Sequence, residues 1–235
     1  MLRIAQTFNS LGRHARAVVS LVLVVTALLH MVGCNFSKDG RYRKDDFITI
    51  GAIFPISNDL SITSTESLTW GIHSAFGALI AKQAINKGGG VLGKKLDLII
   101  LDGQGNLKTA LKRYDEHKSS GVVALIGPPI GVIATTLSEK AKNDGLPFLM
   151  QNELQRQMTA RREYYRGHPA MKDLSDTYYV NFGYGPPPTA IATCECVLMF
   201  VDAIELAGGT NKKEVIFAIN EISQKIFSDP ENSKH

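Results

Sequence analysis

The chain is poor in the residues that carry redox and metal chemistry, and it has no strong excess of either charge. Its 235 residues include three cysteines and one tryptophan, and the formal charge is +4 at pH 7. Residues 1–33 contain three arginines and no acid, which leaves 23 basic against 22 acidic residues in the rest of the chain. Nucleic-acid binding needs a concentrated basic face. The composition therefore argues against nucleic acid as a partner.

Two of the cysteines, Cys194 and Cys196, are one residue apart, and no other cysteine or histidine lies near them in the sequence. This spacing suits neither an ordinary disulfide nor a zinc site, so we interpret both as small residues of a helix. The chain has no G-x-S-x-G motif and no motif that pairs serine or cysteine with histidine. His117, one of six histidines, is predicted on a surface helix. We expect no enzyme, no metal and no cofactor.

The main apolar run is short for a membrane-spanning helix. It covers residues 17–33, whereas a span needs about 20 apolar residues. A basic segment precedes this run, and the polar stretch NFSKDGRYRKDD follows Cys34. These features are typical of a secretory signal, which we predict over residues 1–33, with a tether over 34–46. The cysteine at the end of the run resembles the lipidation site of bacterial lipoproteins. The alternative is an uncleaved N-terminal anchor with an incidental cysteine.

From residue 46 onwards, strand patterns alternate with helix patterns. Thr63 and Glu66 have the spacing of a capping box at the start of the first helix. Asn106 is placed to cap the second helix, and Gly145 to end the third. The strands are predicted over residues 47–56, 95–101, 122–127 and 146–150. This alternation predicts an α/β fold, a parallel Rossmann-like sheet with helices on both faces.

The stretch AINKGGGVLGKKLDL contains most of the phosphate-binding pattern G-x-x-x-x-G-K-[ST], from Gly88 to Lys95. A phosphate loop joins a strand to a helix, whereas this run follows a helix and precedes a strand. Lys95 also occupies the position where the motif needs a hydroxyl. We interpret the glycines as a helix stop followed by a left-handed turn.

Three longer stretches carry a resemblance to a known family: ITIGAIFPIS, QAINKGGGVLGKKLDLIILDGQGN and GVVALIGPPIGVIATTLSEKAKNDGLPFL. They resemble the extracytoplasmic solute-binding proteins of branched-chain amino acid ABC transporters, which have the type I periplasmic-binding-protein fold. The resemblance implies two α/β lobes, of which the first is built from two separate segments. We expect the first lobe alone here, from residues 47–150 and 176–227. Residues 151–175 would be a short replacement for the second lobe.

The resemblance also implies where a ligand would lie. The family holds an amino acid by its carboxylate, through backbone N–H groups and hydroxyls that follow the third and fourth strands. In open parallel sheets, ligands bind beyond the carboxyl ends of the strands. The candidate ligand-binding residues are therefore Ser57, Asn58, Asp102, Gln104, Gly127, Pro128, Ile130, Gly131 and Gln151.

Two of these loops depart from the family pattern. The sequence PIGV follows Pro128 without the expected hydroxyl residue nearby, and MQNEL replaces a stretch rich in serine and threonine. The GPPIG loop is therefore either part of a site or a plain tight turn. Asp102 either shapes its loop or acts as a catalytic or metal-binding acid.

The sequence as a whole predicts an exported lipoprotein that captures or senses a solute at the cell envelope. It would be anchored in a bacterial membrane through a lipid on Cys34 and would face the periplasm or the exterior. The expected partners are an amino acid or amide, an ABC permease or membrane sensor, and a second copy that supplies the missing wall. The alternative is a non-catalytic interaction or scaffold lipoprotein, or a decayed transporter component that binds no ligand.

Overall fold

The computed structural model of the chain describes residues 44–57, 65–151 and 163–228. Apart from Lys44, these residues belong to one compact unit, Asp45–His235. The predicted signal peptide, Cys34, Asn58 and Thr63 lie outside the described residues, and so does most of the predicted tether. The last residues of the tether form a short 3₁₀ helix, Lys44–Asp46, which leads directly into the first strand.

Four parallel strands form one sheet in the order β2-β1-β3-β4. β1 and β2 pair along their full lengths, from Phe47 opposite Lys95 to Phe54 opposite Asp102. β3 and β4 are shorter than the apolar runs that predicted them. The strands are β1 (Phe47–Phe54), β2 (Lys95–Asp102), β3 (Ala124–Ile126) and β4 (Phe148–Leu149). The predicted α/β fold with a parallel sheet is confirmed.

Within the described residues, six long helices follow or flank the strands, and local capping signals set several of their ends. Asn106 accepts a hydrogen bond from the Thr109 N–H at 3.2 Å, and Asn211 accepts one from the Lys213 N–H at 3.0 Å. Gly145 ends its helix in the left-handed conformation, with φ of 64°. The helices are α1 (Thr65–Lys87), α2 (Leu107–Ser120), α3 (Gly131–Asp144), α4 (Pro169–Phe182), α5 (Pro188–Leu206) and α6 (Lys212–Ser228).

The two faces of the sheet are covered by different helices. Ile53 and Leu125 pack with buried residues of α2 and α3, among them Tyr114 and Leu137. Because successive side chains of a strand point to opposite faces, the neighbours of Ile53 in β1 point the other way. That second face carries α1 and α5, which contact β1, β2 and β3 as well as each other. Helices therefore lie on both faces, as the alternation predicted.

Helix α5 is the most deeply buried helix of the described fold. Thirteen of its 19 residues are buried, including Cys194 and Cys196, neither of which is in a disulfide bond. The interpretation of these cysteines as helix residues is confirmed. Close contact with α1 depends on Gly77, where an added Cβ would lie 2.1 Å from the Ala190 carbonyl oxygen. A glycine is required at this point because the two backbones touch.

The glycine run ends α1 and turns the chain into β2. Helix α1 stops at Lys87, and Gly89, Gly90 and Gly93 all have positive φ. An added Cβ at Gly90 would lie 1.9 Å from the Lys94 carbonyl oxygen. The interpretation of this stretch as a helix stop with a left-handed turn is confirmed.

Helix α4 was not recognised in the sequence. It begins after His168, whose Nδ1 accepts a hydrogen bond from the Ala170 N–H at 3.1 Å. The predicted boundary between residues 175 and 176 falls inside this helix, so the helix continues across it. Only Ala170, Leu174 and Tyr178 of α4 are buried. A stripe of three residues, set among charged and aromatic neighbours, gives a weak helical period.

Candidate functional site

The carboxylate of Asp102 joins the loops that follow β1 and β2. Its Oδ1 accepts hydrogen bonds from the Ile56 N–H and the Gln104 N–H, both at 2.9 Å. Its Oδ2 accepts one from the Ser57 N–H at 3.1 Å and another from the Ser57 hydroxyl. Of the two roles considered for this acid, these contacts support the shaping of its own loop.

Gln151 forms a second link, between the loops that follow β3 and β4. The side chain is 1% exposed, and its Nε2 donates to the Gly127 carbonyl oxygen at 3.0 Å. Its Oε1 accepts a hydrogen bond from the Ser74 hydroxyl of α1 at 2.8 Å. Both ends of the amide are therefore engaged inside the protein. Pro128 is buried beside this link.

The start of α3 is exposed, unlike Asp102 and Gln151, whose side chains are hydrogen-bonded to other groups of the protein. Its N-cap, Ile130, has an extended backbone and makes no side-chain capping hydrogen bond, and no acid lies in the first turn. Gly131 is exposed, and Val132 is 75% exposed. The hydroxyl of Thr135 donates back to the Gly131 carbonyl oxygen at 2.9 Å, so it is not directed to a ligand. Uncapped N–H groups at a helix start attract anions.

An open groove of about 710 Å³ lies between the first turns of α2 and α3. We call it the α2–α3 groove. It adjoins the predicted loops, because Ile130 lines it and Gln104 lies just before the residues of its rim. Gln104 has a φ of 54°, followed by Gly105 at 63°, and this left-handed pair turns the chain into α2. The groove is lined by Gly105, Asn106, Leu107, Lys108, Leu111, Ile130 and Ile133, and the Asn106 side chain is the N-cap of α2.

The structure therefore brings the described candidate residues to one edge of the sheet but gives them different surroundings. Ser57 and Asp102 bond to each other, whereas Gly127 and Gln151 bond to each other. Of the remaining described candidates, Pro128 is buried, and Gln104, Ile130 and Gly131 lie at the α2–α3 groove or next to it. Leu107, Leu111 and Ile133 were not predicted, because apolar residues at helical spacing look like ordinary core residues in a sequence.

A second cavity, of about 400 Å³, lies away from this edge, beside the end of α1. Its lining includes Gly88, His168, Asp173, Asp202 and Glu205. Burial raises the pKa of Asp202, which accepts a hydrogen bond from the Tyr165 hydroxyl at 2.8 Å. The sequence did not indicate this cavity, because its lining comes from distant segments.

The prediction that His117 lies on the surface is wrong. The side chain is fully buried, and its Nε2 donates to the Ala52 carbonyl oxygen of β1 at 3.0 Å. Its Nδ1 has no hydrogen-bond partner among the described residues, and burial lowers the pKa of the imidazole. Space for the ring comes from Gly51, where an added Cβ would lie 2.7 Å from His117 Nδ1.

The described residues give no sign of a metal centre or a membrane span. Their histidines, cysteines and acids form no cluster of three or more that could hold a metal ion. None of the helices within residues 44–57, 65–151 and 163–228 has the length and apolarity to cross a membrane.

A sequence model of the periplasmic binding protein family matches residues 48–166. The match covers 119 of the 235 residues and includes all four strands apart from Phe47, together with the loops at their carboxyl ends. This chain belongs to the periplasmic binding protein family. Proteins of this family are, as a type, substrate-binding proteins and not enzymes. No curated protein matches the chain.

Several solved structures have a similar fold. A leucine-binding protein from Thermotoga maritima aligns with a TM-score of 0.56 and 11% identity, over 73% of this chain and 87% of that one. A branched-chain amino acid transporter substrate-binding protein from Streptococcus pneumoniae, in complex with isoleucine, aligns with a TM-score of 0.57 and 13% identity, over 74% and 87%.

A third similar structure is an ABC transporter substrate-binding protein from Desulfitobacterium hafniense in complex with leucine. It aligns with a TM-score of 0.56 and 14% identity, over 75% of this chain and 89% of that one. At sequence identities of 11% to 14%, the similarity to these structures is evidence of a shared fold only. The described residues share the type I periplasmic-binding-protein fold, of which they form part of one lobe.

Proposed function

We propose that this chain is an extracytoplasmic binding protein that captures or senses a small solute, such as an amino acid or an amide, at the cell envelope. Membership of the family supports an extracytoplasmic location. The observation that carries the proposal is the open start of α3, where Gly131 is exposed and the N-cap residue Ile130 makes no side-chain capping hydrogen bond. A carboxylate accepts hydrogen bonds from such N–H groups and is attracted by the helix dipole.

One lobe offers only part of a binding site. Ligand pockets bury most of a small molecule's surface, and a solute on the start of α3 would keep one side in water. A second wall would come from a second copy of the chain, an ABC permease or a membrane sensor. Light scattering of the purified chain, with and without amino acids, tests the homodimer. A monomer under both conditions would leave the permease or sensor as the source of the wall.

We also propose that the protein is held at the membrane through a lipid on Cys34. The support is the basic and apolar segment before this cysteine, which ends in Gly33. Labelling cells with a fatty acid tests the anchor. Label should appear on the wild-type chain and be lost in Cys34→Ser, with the protein released from the membrane fraction. Label that persists in the variant would exclude this cysteine as the lipidation site.

A pair of substitutions at Gly131 tests the binding role of α3. Proline is tolerated at the first position of a helix and removes one N–H. The residue before it already has an extended backbone, with φ of −100° and ψ of 110°, which suits a following proline. An added Cβ at Gly131 meets nothing within 4 Å, so Gly131→Ala is the matched control that keeps the N–H.

The expected result is weaker solute binding in Gly131→Pro and unchanged binding in Gly131→Ala. A hydrogen bond to a charged group contributes about 1.5–3 kcal/mol, so affinity should fall about ten- to a hundredfold. The wild-type chain is first titrated with a panel of amino acids and amides, with the unfolding midpoint as the readout, since ligands of the native state raise it. Equal affinities in the two variants would exclude this helix start as the site.

A scaffold or interaction role, or a decayed transporter component, is the second candidate function. The observation that favours it is that the side chains of Asp102 and Gln151 already form hydrogen bonds with other groups of the protein. No shift of the midpoint with any compound of the panel, up to millimolar concentration, would support this role. No catalytic pair of nucleophile and base is proposed, so turnover of any solute in the panel would contradict both candidate functions.

A further inference from the structure

We propose that the α2–α3 groove binds an aliphatic carboxylate that has no α-ammonium group. The carboxylate lies at Lys108 and the first turn of α3, and the hydrocarbon chain lies along the apolar wall of the groove. This inference rests on the proposed solute-binding function and names the substrate class of that same site.

The shape and lining of the groove suit a hydrocarbon chain. Its wall is built by Leu107 and Leu111, one turn apart on α2, and by Ile130 and Ile133 at the start of α3. Leu107 remains 38% exposed, although it is a large apolar side chain in the first turn of a helix. The volume of about 710 Å³ lies within the usual range of ligand pockets, about 300–1,000 Å³.

The electrostatics of the groove favour an anion. Two helices, α2 and α3, begin at its rim, and neither has an acid in its first turn. Acids normally occur there because they stabilise the positive end of the helix dipole. Lys108 adds a full positive charge and forms no ion pair within the described part of the chain. A bound carboxylate would provide the missing negative charge.

The same lining gives no negatively charged partner for an ammonium group. Among the described residues, no aspartate or glutamate lines the groove. An α-amino acid placed here would bring its positive charge next to Lys108 and two positive helix ends, which is unfavourable. The groove should therefore discriminate against amino acids and in favour of the corresponding deaminated acids.

Titration calorimetry of the full chain tests this discrimination with matched ligands. Leucine and 4-methylpentanoate share one carbon skeleton and differ by the ammonium group, and butanoate, hexanoate and octanoate form a length series. A protein-free blank of the same solution corrects for partitioning. We expect 4-methylpentanoate to bind about tenfold or more tightly than leucine, by the charge argument above. Affinity should rise about two- to fourfold for each added methylene that the wall covers.

Substitutions in the groove locate the binding. Leu107→Asp places a negative charge in the groove and should lower octanoate affinity by about tenfold or more, while an acid in the first turn favours the helix itself. Leu107→Asn is the uncharged control and should lose only part of the affinity. Lys108→Gln should weaken binding and reduce its dependence on salt. Phe217→Asn, at a 70% exposed position of α6, should have no effect. Unfolding midpoints check that each variant is folded.

The outcomes separate this inference from the proposed function. Binding of leucine without binding of the aliphatic acids would overturn the inference and leave amino acid capture standing. Failure of every ligand would contradict both. Chain-length dependence that Leu107→Asp does not alter would place the ligand elsewhere and overturn the inference. A dimer could also overturn the inference. If the wild-type chain were a dimer, and Leu107→Asp dissociated it while octanoate had no effect, a second copy of the chain would occupy the groove.

Discussion

The two faces of the sheet are built in different ways. On one face, α5 has 13 buried residues and its backbone touches that of α1 at Gly77. On the other face, α2 has three buried residues and α3 has four, and an open groove separates their first turns. The first face is closely packed around Gly77, and its cavity of about 400 Å³ lies beside the end of α1, away from the carboxyl ends of the strands. The second is a single layer of amphipathic helices whose starts remain accessible, and binding is therefore proposed there.

The helices of the two faces are also joined by different forces. Helices α2 and α3 are linked by polar side chains around Asp144. Its carboxylate accepts hydrogen bonds from the Tyr114 hydroxyl at 3.0 Å and from Lys118 Nζ at 2.6 Å. Helices α1 and α5 are joined by the close approach of their backbones at Gly77, and both contain many buried apolar residues. Substitutions, pH and salt should therefore change the stability of the protein differently through the two faces.

The largest effect is expected from Gly77→Ala on the closed face. The added Cβ would lie 2.1 Å from the Ala190 carbonyl oxygen, so α1 and α5 must separate. Overpacking of this kind costs about 3 kcal/mol of unfolding free energy. Gly131→Ala, where the Cβ meets nothing within 4 Å, should change stability by less than about 0.5 kcal/mol. Urea unfolding of both variants measures the difference, and similar midpoints would show that the α1–α5 contact is not tight.

A smaller, pH-dependent effect is expected from His117 on the open face. Burial lowers the pKa of His117 in the folded state. As the pH falls below the unfolded pKa of about 6.5, the unfolded chain binds a proton that the folded chain resists, so stability is lost. One proton limits the slope to about 1.4 kcal/mol per pH unit. In His117→Gln, whose amide can still donate to the Ala52 carbonyl oxygen, the loss between pH 7 and 5 should be smaller.

His73 is the control for that experiment on the closed face. It is only partly buried, and its Nδ1 lies 2.8 Å from the Tyr178 hydroxyl. Burial lowers the pKa of His73 as well, so His73→Gln should flatten the same part of the curve to a lesser degree. If the two variants had the same pH dependence as the wild type, neither imidazole would be buried in the neutral form.

The smallest effect is expected from Asp144→Asn, at the link between α2 and α3. The hydrogen bond from Lys118 lowers the pKa of Asp144 in the folded state, and Tyr114 and Lys140 add to this. The stability that the Asp144 carboxylate contributes is present above its unfolded pKa of about 3.9 and is lost as the pH falls through its folded pKa. The variant should therefore lose less stability on acidification below about pH 4. Salt should weaken the same contribution in the wild type, and a salt-independent difference would argue against an ionic link.

Local features of the fold were predictable from the sequence, because their causes lie within a few residues. The cap at Asn106 depends on its own side chain, which accepts a hydrogen bond from the first turn of the helix. The left-handed end at Gly145 and the stop at Gly88–Gly90 depend on the absence of a side chain, which permits positive φ. The parallel sheet followed from apolar runs alternating with helical periods. Helix α4 was not predictable in this way, because a narrow buried stripe gives little periodic signal.

The candidate site was predictable in position but not in detail. The carboxyl ends of the strands and the start of α3 were identified from the order of the elements. The engagement of Asp102 depends on Ile56 and Ser57, which are 46 and 45 residues away in sequence. The burial of His117 likewise depends on the absence of a side chain at Gly51. No local sequence pattern can show contacts between residues so far apart in the chain.

The sequence by itself therefore determined the order of the strands and of the helices other than α4, the caps and stops at Asn106, Gly145 and Gly88–Gly90, and the edge of the sheet that carries the candidate residues. These follow from periodicity, capping and the geometry of parallel sheets. Only the tertiary structure decided which polar groups at that edge are already bonded, which helix starts remain open, and that an apolar groove joins two of them. Those properties arise where residues distant in sequence come into contact, and burial and hydrogen bonding are properties of such contacts.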